Sequence, residues 1–225
     1  MERYIKNENM LTPAENIRLR TFKVAVVGCG GLGGYLVEML ARLGIGHLTV
    51  IDGDVFQPSN LNRQLLSTPE NIGNSKALEA MLRAKKVNPE INITPFAEFI
   101  HSANAAEILA GHHIICDALD TITARKLLEQ EAEKLNIPVV YAAIAGWYAQ
   151  VSVVFPGDRT ISKIYPEDIQ RGAETYFGNP AFTPALAASV QVAETIKTLL
   201  GKEGVLRNKI LSINLLDHNH QVIEL

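Results

Sequence analysis

A glycine-rich turn joins the first apolar run of the chain to a helical pattern. The turn, GCGGLG at residues 28–33, has the spacing G-x-G-x-x-G and directly follows the apolar residues 24–27. Glycine lets a backbone turn tightly and approach a phosphate closely, and the N-terminus of the next helix supplies N–H donors and a positive dipole. The turn therefore predicts a nucleotide site, with the ligand open between NAD, FAD and ATP.

An acidic residue and two cations follow this turn. Asp52 ends the second apolar run, where a carboxylate can accept hydrogen bonds from ribose hydroxyls. Arg63 and Lys76 come later, and hydride transfer to or from NAD gives neither of them a role. When a carboxylate attacks the α-phosphorus of ATP, negative charge develops on the departing pyrophosphate, and cations stabilise that charge. Arginine offers a planar fork for phosphate oxygens and lysine a compact charge, so the pattern favours adenylation.

The elements that must position these residues alternate between strand and helix from residue 23 onward. Predicted strands occupy residues 24–27, 48–51, 91–96, 114–116, 139–143 and 151–155, and predicted helices include residues 75–87, 122–135 and 185–200. This alternation predicts an α/β fold, a Rossmann-like, mostly parallel sheet with helices on both faces. The segment between the last two of these strands is too short for a helical crossover, so antiparallel strands are expected to extend the sheet on its C-terminal side. Residues 157–180 lack periodicity and are predicted to form a long surface loop, and a closing hairpin is predicted at 210–215 and 221–225.

The composition argues against several classes of protein. The chain has 225 residues, of which 47% are hydrophobic and 20% charged, so a disordered chain is excluded. Its net charge of −3 lacks the positive excess of nucleic-acid-binding proteins. Its apolar runs are shorter than the roughly 20 residues of a membrane span, and the polar N-terminus lacks the apolar region of a signal peptide. Cys29 and Cys116 are its two cysteines, so a reducing, cytoplasmic location is expected, without nucleic-acid or membrane partners.

Four stretches resemble the ubiquitin-activating-enzyme-like adenylyltransferases, the group that contains ThiF, MoeB and HesA. They are GCGGLG at residues 28–33, DGDVFQPSNLNRQ at 52–64, NSKA at 74–77 and DALDTITAR at 117–125. The resemblance runs from about residue 3 to residue 225, and the SNLNRQ stretch is highly specific. It implies a homodimer that binds ATP and Mg²⁺. It also implies adenylation, with release of pyrophosphate, of the C-terminal glycine of a small ubiquitin-fold sulfur carrier of the ThiS or MoaD type, ending in Gly-Gly. Such carriers serve thiamine or molybdopterin-type cofactor biosynthesis.

The resemblance also implies roles for individual residues. The residues expected to bind ATP are Gly28, Gly30, Gly31, Gly33, Asp52, Asp54, Asn60, Arg63, Gln64, Lys76, Leu119 and Asp120. Three of them, Arg63, Lys76 and Asp120, are expected to act in catalysis. Asp120 is expected to hold Mg²⁺, a hard cation that prefers oxygen ligands. Arg125 matches a family arginine and is interpreted as structural.

The sequence departs from the family pattern in three places. Relatives carry an N-terminal arginine that reaches into the partner subunit's site. Here Lys6 stands at that position, with Arg3 as a second candidate, and lysine keeps the charge without the fork. The two C-x-x-C pairs of a structural zinc site have no counterpart, so no zinc site is expected. Residues 174–180, where some relatives carry a nucleophilic cysteine, contain none, so the reaction is expected to end at the acyl-adenylate.

The chain is predicted to form a single adenylation domain over residues 1–225. It divides into a helical arm at 1–22, a nucleotide-binding part at 23–145 and a carrier-binding and dimer part at 146–225. Trp147 lies where the family threads the carrier's tail, although tryptophan is as typical of a core or a dimer contact. Three alternatives stay open: adenylation of a small-molecule carboxylate, a nucleotide-binding dimeric scaffold without turnover, and an NAD-dependent oxidoreductase that leaves the cations without a role.

Overall fold

The computed structural model describes residues 2–166 and 172–225, and its strands form an eight-stranded sheet. The strands are β1 (Lys23–Val27), β2 (His47–Ile51), β3 (Asn92–Phe96), β4 (Ile114–Asp117), β5 (Val139–Ala145), β6 (Tyr148–Val154), β7 (Lys209–Asn214) and β8 (Asn219–Glu224). Their order is β3-β2-β1-β4-β5-β6-β7-β8. Strands β1 to β5 pair in parallel, and β5 to β8 pair antiparallel in succession. The predicted α/β class, with its antiparallel extension, is confirmed.

Helices cover both faces of this sheet. They are α1 (Pro13–Leu19), α2 (Gly31–Leu43), α3 (Lys76–Val87), α4 (Ala105–Leu109), α5 (Ile122–Leu135), α6 (Thr160–Ile164), α7 (Glu174–Phe177) and α8 (Phe182–Leu200). One apolar core joins the sheet to α2, α3 and α8, and a second core on the other face joins it to α4, α5 and α6. In the ranges that the structure describes, no helix combines the length and the apolar character that a membrane span requires.

The structure corrects two predictions about local elements. The loop predicted over residues 157–180 contains the short helices α6 and α7, and α4 was not predicted at all. Each of these helices has at most five residues, which is too short to show a repeating apolar face in the sequence. The remainder of that loop includes residues 167–171, which lie outside the described residues.

The N-terminal arm packs against the C-terminal end of α2. Thr12 caps α1 in a capping box, because Glu15 N donates to Thr12 Oγ1 and Thr12 N donates to the Glu15 carboxylate. Earlier in the arm, Asn7 Nδ2 donates to the carbonyl of Leu43 at 3.4 Å, and the buried ring of Tyr4 lies against Gly44. The arm is therefore fixed at the C-terminal end of α2.

Candidate functional site

A cavity of about 460 Å³ opens at the carboxyl ends of the parallel strands. Strands β1 and β4 are neighbours in the sheet, although β2 and β3 lie between them in the sequence. In open α/β sheets, ligands bind at such a switch in strand order, and this volume falls within the range of small-molecule pockets. Most of the residues predicted to bind ATP line the cavity, namely Gly28, Gly30, Gly31, Asp52, Asp54, Arg63, Gln64, Lys76, Leu119 and Asp120.

Gly33 and Asn60, which were also predicted to bind ATP, lie outside the residues that line the cavity. A Cβ on Gly33 would come within 1.8 Å of the carbonyl oxygen of Gly28, so this glycine allows α2 to pack against the turn. The buried side chain of Asn60 accepts a hydrogen bond from Gln57 N at 3.0 Å. Gly33 and Asn60 therefore support the residues that line the cavity without lining it themselves.

The carboxylate of Asp52 fixes the backbone of the glycine turn through a hydrogen bond. Its Oδ2 accepts a hydrogen bond from Cys29 N at 2.7 Å, and its Oδ1 accepts one from Asp54 N at 2.8 Å. Burial raises the pKa of this carboxyl, although both backbone hydrogen bonds oppose the shift. Gly28 has a φ of +99°, and a Cβ there would lie 2.5 Å from the carbonyl oxygen of Ala118. Glycine is therefore required at the point where the turn meets β4.

The two predicted cations line the cavity but are held differently. Lys76 has a side chain only 9% exposed, and its Nζ lies 3.0 Å from Asp54 Oδ2. Arg63 is half-buried, and its Nη1 donates to Ser59 O at 3.0 Å and to Asn62 Oδ1 at 2.9 Å. Lys76 is therefore held by an ion pair, whereas Arg63 is held by hydrogen bonds to neutral oxygens. The charge of the Arg63 guanidinium is not paired with a carboxylate in these contacts, so it can pair with a bound anion.

The carboxylates of the cavity suit a magnesium ion that arrives with a nucleotide. Asp120 lies in the short loop between β4 and α5, next to Thr121, which caps α5. Asp54 forms an ion pair with Lys76. Within residues 2–166 and 172–225, no cluster of three or more metal-binding side chains forms. Mg²⁺ commonly takes one or two carboxylates together with phosphate oxygens and water, and it neutralises phosphate charge when bound. The residues present fit that mode of binding.

Arg125 links β5 to the loop that follows β4. Its Nη1 donates to Ala142 O at 2.7 Å and its Nη2 donates to Leu119 O at 2.5 Å. The carboxylate of Asp117, fully buried, lies 3.8 Å from the guanidinium, and burial raises its pKa against the attraction of that cation. Arg125 thus ties the loop that carries Asp120 to β5.

Several cavity residues escaped the sequence interpretation. Glu98, Phe99 and Ile100 follow β3, and Tyr165 and Asn179 come from the segment predicted as a loop. Phe99 is 63% exposed, and a Cβ on Gly53 would lie 2.6 Å from its ring. The position of residues 98–100 after a predicted strand was a usable signal, because the carboxyl ends of parallel strands meet at one edge. Neither Tyr165 nor Asn179 has a comparable signal.

The two cysteines, the N-terminal arm and Trp147 are not among the residues that line the cavity. Both thiols are buried; burial raises the pKa of Cys29 well above its ordinary value and that of Cys116 to about 12. Lys6 is exposed and Arg3 donates to Asn88 Oδ1 at 2.5 Å. These two residues lie at the end of α2 remote from the cavity, roughly 20 Å away at 1.5 Å per residue. Trp147 is 45% exposed and its ring packs on Phe182 at 4.7 Å.

Known proteins resemble this chain over most of its length. The family model described as the ThiF family matches residues 4–225. The SAMP-activating enzyme E1 of Haloferax volcanii is 28% identical over 99% of this chain and 84% of its own length. The sulfur carrier protein adenylyltransferase of Thermus thermophilus is 33% identical over 84% of this chain and 73% of its own. A probable molybdopterin-synthase adenylyltransferase of Porphyra purpurea is 33% identical over 88% of this chain, which spans 53% of that relative.

Solved structures share the fold at lower identity. The crystal structure of E. coli MccB with ATP has a TM-score of 0.81 and 22% identity, covering 100% of this chain and 71% of that one. At this identity the likeness concerns the fold. The eight-stranded sheet and its switch between β1 and β4 are therefore an arrangement that known proteins also adopt.

Proposed function

The chain belongs to the ThiF family and is an adenylyltransferase, and we propose that its acceptor is the C-terminal carboxylate of a small ubiquitin-fold sulfur carrier. One observation carries the nucleotide part of this proposal. The glycine turn, Arg63 and Lys76 line one cavity at the switch in strand order, which is where backbone N–H groups and cations meet a triphosphate. An NAD-dependent oxidoreductase would leave these cations without a function.

The reaction follows from the charges in the cavity. A carboxylate oxygen of the acceptor attacks the α-phosphorus of ATP, the bond from that phosphorus to the bridging oxygen breaks, and pyrophosphate leaves with the electron pair. Arg63 and Lys76 stabilise the negative charge that develops on pyrophosphate. Lys76 is buried, so its charge acts with less screening by water. Asp120 and the phosphates would hold Mg²⁺.

The nature of the acceptor is supported by the relatives and by the cavity's surroundings. The relatives include a SAMP-activating enzyme and adenylyltransferases named for a sulfur carrier and for molybdopterin synthase. Trp147 stands exposed at the turn between β5 and β6, and Gly146 in the same turn is bonded to the segment that carries Asn179. A protein tail passing this turn reaches the cavity. The carrier is of the type used in thiamine or molybdopterin-type cofactor biosynthesis.

A homodimer completes the proposal. Lys6 and Arg3 lie too far from their own cavity to act there, whereas a second copy could present either to it. Exposed leucines favour such an interface: Leu61 and Leu65 flank Arg63 along the chain, and Leu78 and Leu82 are four residues apart on α3. Sedimentation of the wild type and of a Leu78→Glu, Leu82→Glu variant tests this point. A monomeric wild type would contradict the proposed dimer.

Pyrophosphate exchange into ATP tests the function. The acceptors are a ThiS-type carrier, a MoaD-type carrier, and matched versions of each that lack the final glycine. Exchange that requires an intact carrier supports the proposal. Exchange driven instead by small carboxylates favours a small-molecule acceptor, and ATP binding without exchange under any of these conditions favours a nucleotide-binding scaffold.

A further inference from the structure

Phe99 is a large aromatic side chain that lines the cavity while little of the protein covers it. It is 63% exposed, whereas the next residue, Ile100, also lines the cavity but is buried in the apolar core on that face of the sheet. Ligand cavities are lined mainly by apolar and aromatic side chains, which a bound molecule covers. The exposure of Phe99 at this place therefore indicates contact with a ligand.

Gly53 covers one face of the Phe99 ring. A Cβ on Gly53 would lie 2.6 Å from Cδ2 of the ring and 2.8 Å from each of Cε2 and Cγ. Nearly equal distances to three successive ring atoms place Gly53 over the face of the ring, because a neighbour at its edge would lie distinctly farther from two of them. Since the ring is largely exposed, its opposite face is left uncovered.

One asparagine fixes the loop that carries Phe99. Asn104 Nδ2 donates to Phe99 O at 3.0 Å and to Glu98 Oε2 at 2.8 Å. Asn104 Oδ1 accepts a hydrogen bond from His101 N at 2.8 Å. These three hydrogen bonds hold the loop in one conformation before a ligand arrives. A binding residue on a loop that is already ordered loses less conformational freedom on binding, which strengthens the interaction.

Three neighbouring strand ends carry groups in the order of the parts of a nucleotide. The turn after β1 offers backbone N–H groups for phosphates, and Asp52 after β2 offers a carboxylate for ribose hydroxyls. Phe99 follows β3, the next strand of the sheet, and Asp52 N donates to Phe96 O at 3.1 Å. Adjacent strands lie about 4.8 Å apart, which is comparable with the spacing of phosphate, ribose and base. Phe99 therefore lies where the base is expected.

We infer that Phe99 binds the base of the nucleotide by stacking on it with the ring face that Gly53 leaves open. This inference rests on the nucleotide part of the proposed function, since it places a nucleotide in this cavity. A nucleobase has a π face that stacks on an aromatic ring without any hydrogen bond. Asn104 is not among the residues that line the cavity, so it acts as a positioning residue that holds Phe99 in place.

Binding of ATP and of ribose 5-triphosphate, which lacks the base, tests the role of Phe99 without any acceptor. Calorimetric titration in the presence of Mg²⁺ gives the Kd of each compound. Phe99→Ala should raise the Kd of ATP about tenfold, because the stacking partner of the base is lost. The Kd of ribose 5-triphosphate should stay within about twofold of the wild type. Phe99→Tyr keeps the ring and should bind ATP within about threefold of the wild type, and Phe99→Leu should bind ATP more weakly than Phe99→Tyr.

Two further variants separate stacking from a general effect on the structure. Tyr176→Ala is the matched control, because Tyr176 is an aromatic side chain 88% exposed that is not among the cavity-lining residues. It should bind both compounds as the wild type does. Asn104→Ala should weaken ATP binding and leave that of ribose 5-triphosphate unchanged, since only the placement of Phe99 is disturbed. An Asn104→Ala variant with wild-type affinity for ATP would show that Asn104 does not position Phe99.

The outcomes also distinguish this inference from the proposed function. An ATP Kd for Phe99→Ala within twofold of the wild type would overturn the inference. Equal losses of affinity for ATP and for ribose 5-triphosphate would overturn it too, because the effect would then not depend on the base. In both cases pyrophosphate exchange with an intact carrier would still uphold the function. A wild type that binds no ATP would contradict both.

Discussion

At the scale of single residues, the two cations of the cavity are held by different partners and should respond differently to mutation. Lys76 is buried and paired with Asp54, so its removal leaves a carboxylate without its partner as well as removing a charge. Arg63 donates to a backbone carbonyl and to an exposed asparagine, so its removal disturbs little else. Arg63 is therefore the cleaner probe of charge stabilisation in the transition state.

Arg63→Ala should lower the rate of adenylation by roughly 100- to 1,000-fold. The physical reason is the loss of a guanidinium where pyrophosphate charge develops. Exchange of pyrophosphate into ATP measures the rate, and thermal unfolding checks the fold. Arg20→Ala is the matched control, because Arg20 forms an exposed ion pair with Glu90 away from the cavity. A rate within tenfold of the wild type, with unchanged melting, would contradict the role of Arg63.

Asp120→Asn should raise the Mg²⁺ concentration needed for half-maximal exchange at saturating ATP. An amide is a poorer ligand for a hard cation than a carboxylate. The measurement is a Mg²⁺ titration of exchange, with Asp217→Asn in the β7–β8 turn as the control for loss of one surface carboxylate. Superimposable Mg²⁺ curves for Asp120→Asn and the wild type would show that Asp120 does not bind the metal.

The site was predictable from the sequence as far as each residue follows a recognisable strand or turn. Asp52 was expected at the site because it ends a predicted strand, whereas Asp54 and Asp120 were expected from the family resemblance, and all three line the cavity. Asn60 does not line the cavity, and its sequence context does not reveal that its side chain accepts a hydrogen bond from Gln57 N at the start of the short helical turn 58–60. Asn179 could not be found at all, since its position depends on contacts with Asn62 and with the distant β5–β6 turn.

At the scale of elements, the parallel strands and long helices were predictable because their apolar periodicity extends over several turns or alternations. Helix α5 has the bounds expected from its pattern, Ile122–Leu135, and the antiparallel pairing of β5 with β6 follows from the short connection between them. The short helices α4, α6 and α7 were missed, since tertiary packing decides their conformation. Ile161 illustrates this, because the buried Glu129 of α5 accepts a hydrogen bond from its N–H at 2.6 Å.

The N-terminal arm gives a prediction at this scale. Glu15 of α1 pairs with Lys202 just beyond α8 and accepts the backbone N–H of Thr12. The hydrogen bond from Lys202 first, and then that from the Thr12 backbone, lower the pKa of Glu15 from its ordinary value of 4.5 to about 2. The folded state therefore binds this proton less tightly than the unfolded state, so the carboxylate contributes stability above about pH 4.5 that is lost as the pH falls towards 2.

Melting temperatures measured from pH 7 to pH 2 test this contact. Glu15→Gln should melt below the wild type at neutral pH by a small margin, since exposed ion pairs contribute little. The gap should close as the pH falls, because the wild-type carboxyl becomes neutral too. Lys202→Met should show a similar convergence through loss of the same pair. A gap that is constant down to pH 2 would show that the ionised carboxylate does not stabilise the arm.

At the scale of the whole molecule, the order of the strands gathers the cavity from distant parts of the sequence. Placing β1 between β2 and β4 brings the glycine turn beside Asp52 on one side and beside the Asp117–Asp120 loop on the other. The antiparallel strands then carry the chain back, and the segment before α8 contributes Asn179. Each wall is supplied by a different connection, which is why neither a single motif nor one element defines the site.

The same architecture leaves both thiols inside the molecule. Cys29 lies in the turn whose backbone is bonded to Asp52, and Cys116 lies in the central strand β4, 3.4 Å from Thr195. Burial raises the pKa of both thiols, which keeps them protonated at neutral pH. For either sulfur to attack a carrier adenylate, the turn or the strand would have to open and lose its packing and hydrogen bonds.

We therefore expect the acyl-adenylate to be the last product formed on this protein. Enzyme, ATP and an intact carrier should give no thiol-sensitive covalent complex on a non-reducing gel. A Cys29→Ala, Cys116→Ala variant should still exchange pyrophosphate at a rate within about threefold of the wild type. Cys116→Ala alone serves as the milder control if the double variant is unstable, since a buried thiol is replaced by a smaller apolar group. A carrier-linked band that disappears with reductant and in the double variant would contradict this expectation, because it would require one buried thiol to reach the adenylate.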